Sequence, residues 1–276
     1  MAWMKKDGSS NLPSKKNMKI LLIGNSFSID SAHFLFDVAK SAGVNLVVGI
    51  AHGSGYSLEQ HWDAIQNDSP ITMYHKWSQS NGHTEQPNPL LKNIISDEKW
   101  DIITYQQASP DSGKYNTFQP YLNNIHGWVK GRVTNDNVRY GLNMTWPYAT
   151  GATSIYGTQM DMYEAIVDAY QQAMEEMEFD ILIPVGTAVQ NARNIEHLQV
   201  VGNDLCRDSR HLDYGVARNI TALTVFQTLF SAYYNVDVTQ NVTFVPDETD
   251  STVYRAYLSR LAAKQATINP FKLTEI

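Results

Sequence analysis

Five short apolar runs separated by amphipathic stretches constrain this chain more than any other feature. The runs lie at residues 20–23, 46–50, 102–105, 140–144 and 181–185. Between them, apolar residues recur at helical spacing over about 30–42, 57–66, 89–96, 118–129 and 160–178. Two more helical patterns follow the fifth run, near 214–232 and 251–266. Strands that alternate with helices in this way are joined by crossovers and form a parallel sheet. The expected fold is therefore α/β, a three-layer α/β/α sandwich around a five-stranded parallel sheet.

Length alone does not choose between one large domain and two small ones, since 276 residues allow either. No linker or repeat divides the chain, so residues 18–276 read as a single domain. Hydrophobic residues at 43% against 18% charged suit a globular chain with a sizeable core. Residues 1–17 are polar, carry Lys5, Lys6, Lys15 and Lys16, and lack the apolar centre of an intact signal peptide. They read as a tail or tag, and the compartment stays open. The net charge of −7, with no basic cluster longer than Lys15-Lys16, argues against nucleic acid and anionic membranes as partners. No apolar stretch approaches the ~20 residues needed to span a bilayer. The single cysteine, Cys206, rules out an internal disulfide and reads as a small buried residue.

Ligands of open parallel sheets bind beyond the carboxyl ends of the strands. Ser26, Gly55 and Gln106 each fall just after an apolar run, so all three can reach one rim. Downstream, Asp208-Ser209-Arg210-His211 sets a carboxylate three residues before an imidazole. A serine hydroxyl becomes a strong nucleophile when a base takes its proton, and the base works best when a carboxylate orients it. Those parts occur here in the order Ser, Asp, His.

Taken together these segments resemble the SGNH, or GDSL-like, hydrolase superfamily, over residues 19 to about 215. Gly24-Asn25-Ser26 is similar to the first block, usually Gly-Asp-Ser, with Asn25 in place of the usual Asp. The resemblance implies a flavodoxin-like sheet, Ser26 as nucleophile, His211 as general base and Asp208 as its orienter. His52-Gly53-Ser54-Gly55-Tyr56-Ser57 stands where the family supplies an oxyanion-hole glycine, with Gly55 the first choice and Gly53 the second. The third block departs most. Where most members carry Gly-x-Asn-Asp, this chain has Tyr105-Gln106-Gln107, which is similar to carbohydrate acetylesterase branches that use a glutamine amide. The oxyanion hole is accordingly expected to comprise the N–H of Ser26, the N–H of Gly55 and the side chain of Gln106, with Gln107 as second choice. The other reading of both glutamines is that they satisfy loop backbone groups.

Residues 67–88 break the alternation and read as an insertion, with 72–77 able to form one arm of a hairpin. It serves either as a structural flap or as a lid in which Tyr74 and Trp77 are sugar platforms. Trp146, ending the fourth strand, either borders the site or belongs to a rigid turn. Among the eight histidines, His52 and His61, or His75 and His83, could serve as metal ligands, but their spacing matches no metal motif. They read as core or surface residues, and neither metal nor cofactor is expected. The resemblance thus implies a serine esterase acting through an acyl-enzyme on a short acyl group, with acetyl on a carbohydrate as the expected substrate. Alternatives are a lipid esterase or thioesterase of the same fold, or a non-catalytic carbohydrate-binding module. Oligomeric state is not legible.

Overall fold

A computed structural model describes residues 17–199, 201–234 and 236–276. The expected tail at 1–17 lies outside these residues except for Asn17, which opens the first strand. In chain order the elements are β1 (Asn17–Gly24), α1 (Ser26–Ala32), α2 (Leu35–Ser41), β2 (Asn45–His52), α3 (Leu58–Gln66), β3 (Met73–Ser78) and β4 (Gly82–Pro87). Then follow α4 (Leu91–Asp97), β5 (Ile102–Tyr105), α5 (Tyr121–Lys130), β6 (Arg139–Asn143), α6 (Gln159–Met177), β7 (Ile181–Ile183), α7 (Val185–Ala192), α8 (Val216–Tyr234), α9 (Val238–Asn241) and α10 (Val253–Ile268).

The sheet has seven strands in the order β4-β3-β2-β1-β5-β6-β7. The five expected strands form its parallel part, β2-β1-β5-β6-β7. The two additional strands come from the insertion, where β3 pairs antiparallel with β2 and β4 with β3. The insertion is thus an extension of the sheet edge. Strand order turns back between β1 and β5, which places a crevice beyond their carboxyl ends.

Helices cover both faces. On one, α8 packs against α1, α2, α7 and α10; on the other, α3 packs against α5. Helix α8 is enclosed to a degree that erases an amphipathic stripe, with Ile220, Leu223, Phe226, Leu229 and Phe230 all fully buried. The same enclosure explains an error at the fifth strand. The apolar run 181–185 stops pairing at Ile183, and Val185 already belongs to α7, all eight residues of which are buried. Pro184 has no N–H for a further ladder bond, so the apolar sequence continues while the strand does not. The helical pattern placed at 30–42 resolves into α1 and α2, and α1 begins earlier, because Asn25 caps it by accepting the N–H of Phe27 at 3.0 Å.

Candidate active site

Strand β1 ends in the turn that carries Ser26, the expected nucleophile. A side chain at Gly24 would meet Ser28 Oγ at 2.3 Å and Gln106 Oε1 at 2.8 Å, so this position has room only for glycine. Asn25 follows as the cap and Ser26 as the first residue of α1. Ser26 Oγ lies 3.0 Å from His211 Nε2, and His211 Nδ1 lies 2.8 Å from Asp208 Oδ2. The structure therefore brings these three residues, 185 positions apart at the extremes, into one hydrogen-bonded chain.

Asp208 divides its two oxygens between tasks. Oδ2 faces the imidazole, while Oδ1 accepts the backbone N–H groups of Arg210 and His211, both at 2.7 Å. Partial burial opposes ionisation, but the N–H donors of His211 and Arg210 and the imidazole outweigh it, lowering the carboxyl to about 2. It is a carboxylate at neutral pH, and so holds Nδ1–H toward itself and leaves Nε2 free to accept from Ser26.

The loop carrying Asp208 and His211 is fastened from three sides. Trp146 Nε1 donates to the carbonyl of Arg210 at 2.8 Å, and its indole stacks on Phe27 of α1 with ring centres 4.1 Å apart. Ala149 N–H donates to the carbonyl of Ser209 at 2.9 Å. From below, Asp30 accepts the N–H of Leu212 at 3.0 Å. Asp30 is wholly buried, and both its oxygens are neutralised by Arg207 and Arg218. Sequence reading missed Asp30, Arg207 and Arg218. Its one available signal was a charged residue on the inward side of a short helix one turn after the nucleophile.

Trp146 corrects an expectation. Its side chain has no exposed surface, so it offers no face to a substrate; it orders the histidine loop. Tyr74 is likewise buried and donates its hydroxyl to Asp97 at 2.7 Å. Trp77 pairs with Val48, four residues back from His52, which aligns with Gly24 at the rim. At ~3.3 Å per residue that is about 13 Å down the sheet from the Ser26 turn. One face of its indole is already stacked on His83, with ring centres 4.1 Å apart. The insertion instead meets the site through Thr72, whose Oγ1 accepts the N–H of Ser54 at 2.8 Å.

The oxyanion candidates separate clearly. Gly53 donates its N–H to the carbonyl of Gly24 at 2.9 Å and is spent. Gly55 has φ of +70° and open space where a Cβ would stand. Its loop is docked on the Ser26 turn, because Asn25 Nδ2 donates to the carbonyl of Tyr56 at 3.0 Å. Among the described residues, the N–H groups of Ser26 and Gly55 donate to no other protein group. Neither glutamine offers an amide hydrogen. Gln106 Nε2 donates to Asn25 Oδ1 at 2.8 Å and to the carbonyl of Gln107 at 3.0 Å, while its Oε1 accepts from Ser28. Gln107 Nε2 donates to the carbonyl and hydroxyl of Thr117, and its Oε1 accepts from Leu58 and Ala108. An amide has two hydrogens, and in each residue both are committed. Cys206 is buried beside Arg193, and burial raises its thiol to about 11, so it does not compete as a nucleophile.

Comparison with other proteins agrees with this architecture. Residues 19–266 match the family described as a domain of unknown function, DUF4886, and the chain belongs to that family. It is similar to a crystal structure of a DUF4886 family protein from Bacteroides uniformis, at 33% identity over 94% of this chain and 98% of the other, with a TM-score of 0.85. A proposed SGNH hydrolase from Slackia heliotrinireducens shares the fold at 18% identity, covering 77% of this chain and 99% of its own, with a TM-score of 0.52. An acetyl xylan esterase, AlAXEase, shares it at 11% identity, 77% and 100% coverage and a TM-score of 0.51. No curated protein matches the sequence. Among the described residues, no helix is long and apolar enough to cross a membrane.

Proposed function

We propose that this DUF4886 protein is a serine esterase that cleaves carboxylic esters through an acyl-enzyme. The observation that carries the reading is the continuous chain from Ser26 through His211 to Asp208, with contacts of 3.0 and 2.8 Å. Ser26 Oγ attacks the ester carbonyl while His211 Nε2 takes its proton. The resulting oxyanion is met by the N–H groups of Ser26 and Gly55. His211 then returns the proton to the departing alcohol, leaving Ser26 acylated. Water, deprotonated by the same nitrogen, attacks the acyl group, and collapse of the second tetrahedral intermediate releases the acid and restores Ser26.

A short acyl group, such as acetyl on a sugar hydroxyl, suits the site best. The side chains of His211 and Asp208 are 21% and 49% exposed, so the catalytic chain lies near the surface. A shallow site leaves the methylenes of a long acyl chain in water, without the ~0.8 kcal/mol each would gain on burial. It also leaves space for a bulky alcohol. The test is a panel of p-nitrophenyl esters from acetyl to decanoyl, run beside acetylated xylan and acetylated monosaccharides. Acetyl should lead the panel. Ser26→Ala should lose roughly 10³-fold or more in kcat and escape fluorophosphonate labelling. Labelling at another serine would end the triad reading, and preference for decanoyl would transfer it to a lipid esterase. A wild type inert to every ester and unlabelled would leave a non-catalytic carbohydrate-binding module.

A further inference from the structure

Away from the rim, on the sheet-edge hairpin, a second group of reactive side chains converges. His75 lies in β3 directly opposite Glu85 in β4, and His83 lies opposite Trp77, so all four share one face of the hairpin. His75 Nδ1 is 3.1 Å from Glu85 Oε1, and His83 Nε2 is 3.7 Å from the same oxygen. All three ligand atoms fall within 4.8 Å of one another. Ligands at the usual zinc distances, tetrahedrally arranged, stand about 3.3 Å apart, and the two measured separations bracket that value.

The rings are also held in place. His83 stacks on Trp77 with planes 12° apart, and the His75 and His83 rings are within 9° of parallel. Each imidazole already directs a ring nitrogen to the carboxylate. Beside them, His52 comes within 5.8 Å of His75, ring centre to ring centre, and both its nitrogens are buried without a hydrogen-bond partner. Such unpaired polar atoms are uncommon and call for an explanation. Here they give this patch of sheet an excess of nitrogen donors over protein acceptors.

We infer that His75, His83 and Glu85 form a binding site for a borderline divalent metal ion of the zinc class, clamping β3 to β4. Two imidazoles and one carboxylate favour Zn²⁺ over the oxygen-seeking Mg²⁺ and Ca²⁺. The ion replaces the hydrogen between His75 Nδ1 and Glu85, and the ring proton of His75 resides on Nε2. Water completes the coordination. The role is structural: β4 is an edge strand whose six residues are all exposed, and a metal cross-link supplies what burial does not. Sequence spacing concealed the site because its ligands meet across a hairpin and follow no helical or loop motif.

The test is calorimetric titration of Zn²⁺ into the full chain, stripped beforehand with a chelator, together with thermal unfolding. Wild type should bind about one Zn²⁺ tightly and melt at higher temperature with zinc, and Mg²⁺ should do neither. His83→Ala and Glu85→Gln alter exposed side chains, so each should fold, verified by its melting temperature without metal. Each should weaken Zn²⁺ binding at least ~10-fold and lose the thermal response. Equal binding by wild type and both variants would put the ion elsewhere and overturn the proposal. So would a wild type that binds no Zn²⁺ at roughly 0.1 mM, a concentration that reveals even weak sites.

Discussion

Asp30 accepts the backbone N–H of Leu212 at 3.0 Å, which ties the helix that begins at Ser26 to the residue immediately after His211. Ser26 and Asp30 lie one turn apart on α1, so one rigid segment sets both the proposed nucleophile and the loop that carries its proposed base. Arg207 and Arg218 make this possible by neutralising a carboxylate that has no contact with water.

Asp30→Asn should therefore damage both stability and turnover. Removing one partner from a buried charge cluster costs about 3–5 kcal/mol, here because two guanidinium groups lose their anion. In the molecules that remain folded, kcat should fall more than KM rises, since the histidine loop and not the substrate cleft is released. Urea unfolding and steady-state kinetics on one preparation check both. Unaltered kcat in a destabilised variant would reduce Asp30 to a purely structural residue.

Asp208 stays ionised down to about pH 2, so it contributes no titration to the activity profile above pH 4. Asp208→Asn puts an amide against His211 and favours the tautomer with the proton on Nε2, which cannot accept from Ser26. A buried triad loses ~10⁴ in kcat from that change. Asp208 is half exposed and water can take part of its place, so roughly 10²- to 10³-fold is expected. A loss in KM alone would contradict the assigned role.

Gln106→Ala should act through Asn25. It removes one of the two donors to Asn25 Oδ1 and the acceptor for Ser28, leaving the buried Ser28 hydroxyl unpaired at about 1–3 kcal/mol. Stability should fall clearly, and kcat should fall less than the ~10²-fold expected of a direct oxyanion donor. Gly55→Ala should give the reverse pattern. No atom obstructs the added methyl, but the backbone escapes the roughly 1–2 kcal/mol strain of a positive φ by rotating, which carries away the N–H proposed for the oxyanion hole. Comparing melting temperature with kcat in the two variants separates these roles.

Acid should destabilise the fold well before carboxylates protonate. Burial lowers His33, His61 and His126 to about 4. Unfolded, each imidazole titrates near ~6.5, so between these values the unfolded chain binds protons that the native chain refuses. The stabilisation is complete above the upper value and is lost as pH falls through the window toward 4. His61 is fully enclosed and alone contributes up to ~1.4 kcal/mol per pH unit there. Chemical denaturation from pH 7 to 4.5 should show this decline, and His61→Gln should make it shallower. An identical slope in the variant would exclude His61 as a source.

The five parallel strands and the turn that carries Ser26 were legible because they depend on local patterns. A run such as 20–23 announces a strand by its own composition, and Gly24-Asn25-Ser26 combines a crowded turn with a helix cap within three residues. Asp208 and His211 are likewise three residues apart, and their hydrogen bond is a local one. Other features were decided by tertiary structure. Gln106 meets Asn25 across 81 positions and Asp30 meets Arg218 across 188, distances over which no periodicity carries information. Tyr74 and Trp146 looked available for a substrate because composition does not distinguish an aromatic ring at a rim from one inside a core. Packing made that choice, enclosing both rings and turning the indole of Trp146 toward the loop that holds His211. Sequence by itself determined which reactive groups are available for the proposed chemistry, since reactive groups and strand ends are local properties. Only the folded structure decided which polar atoms remain free to perform it, because every hydrogen bond made within the fold withdraws a donor from the site.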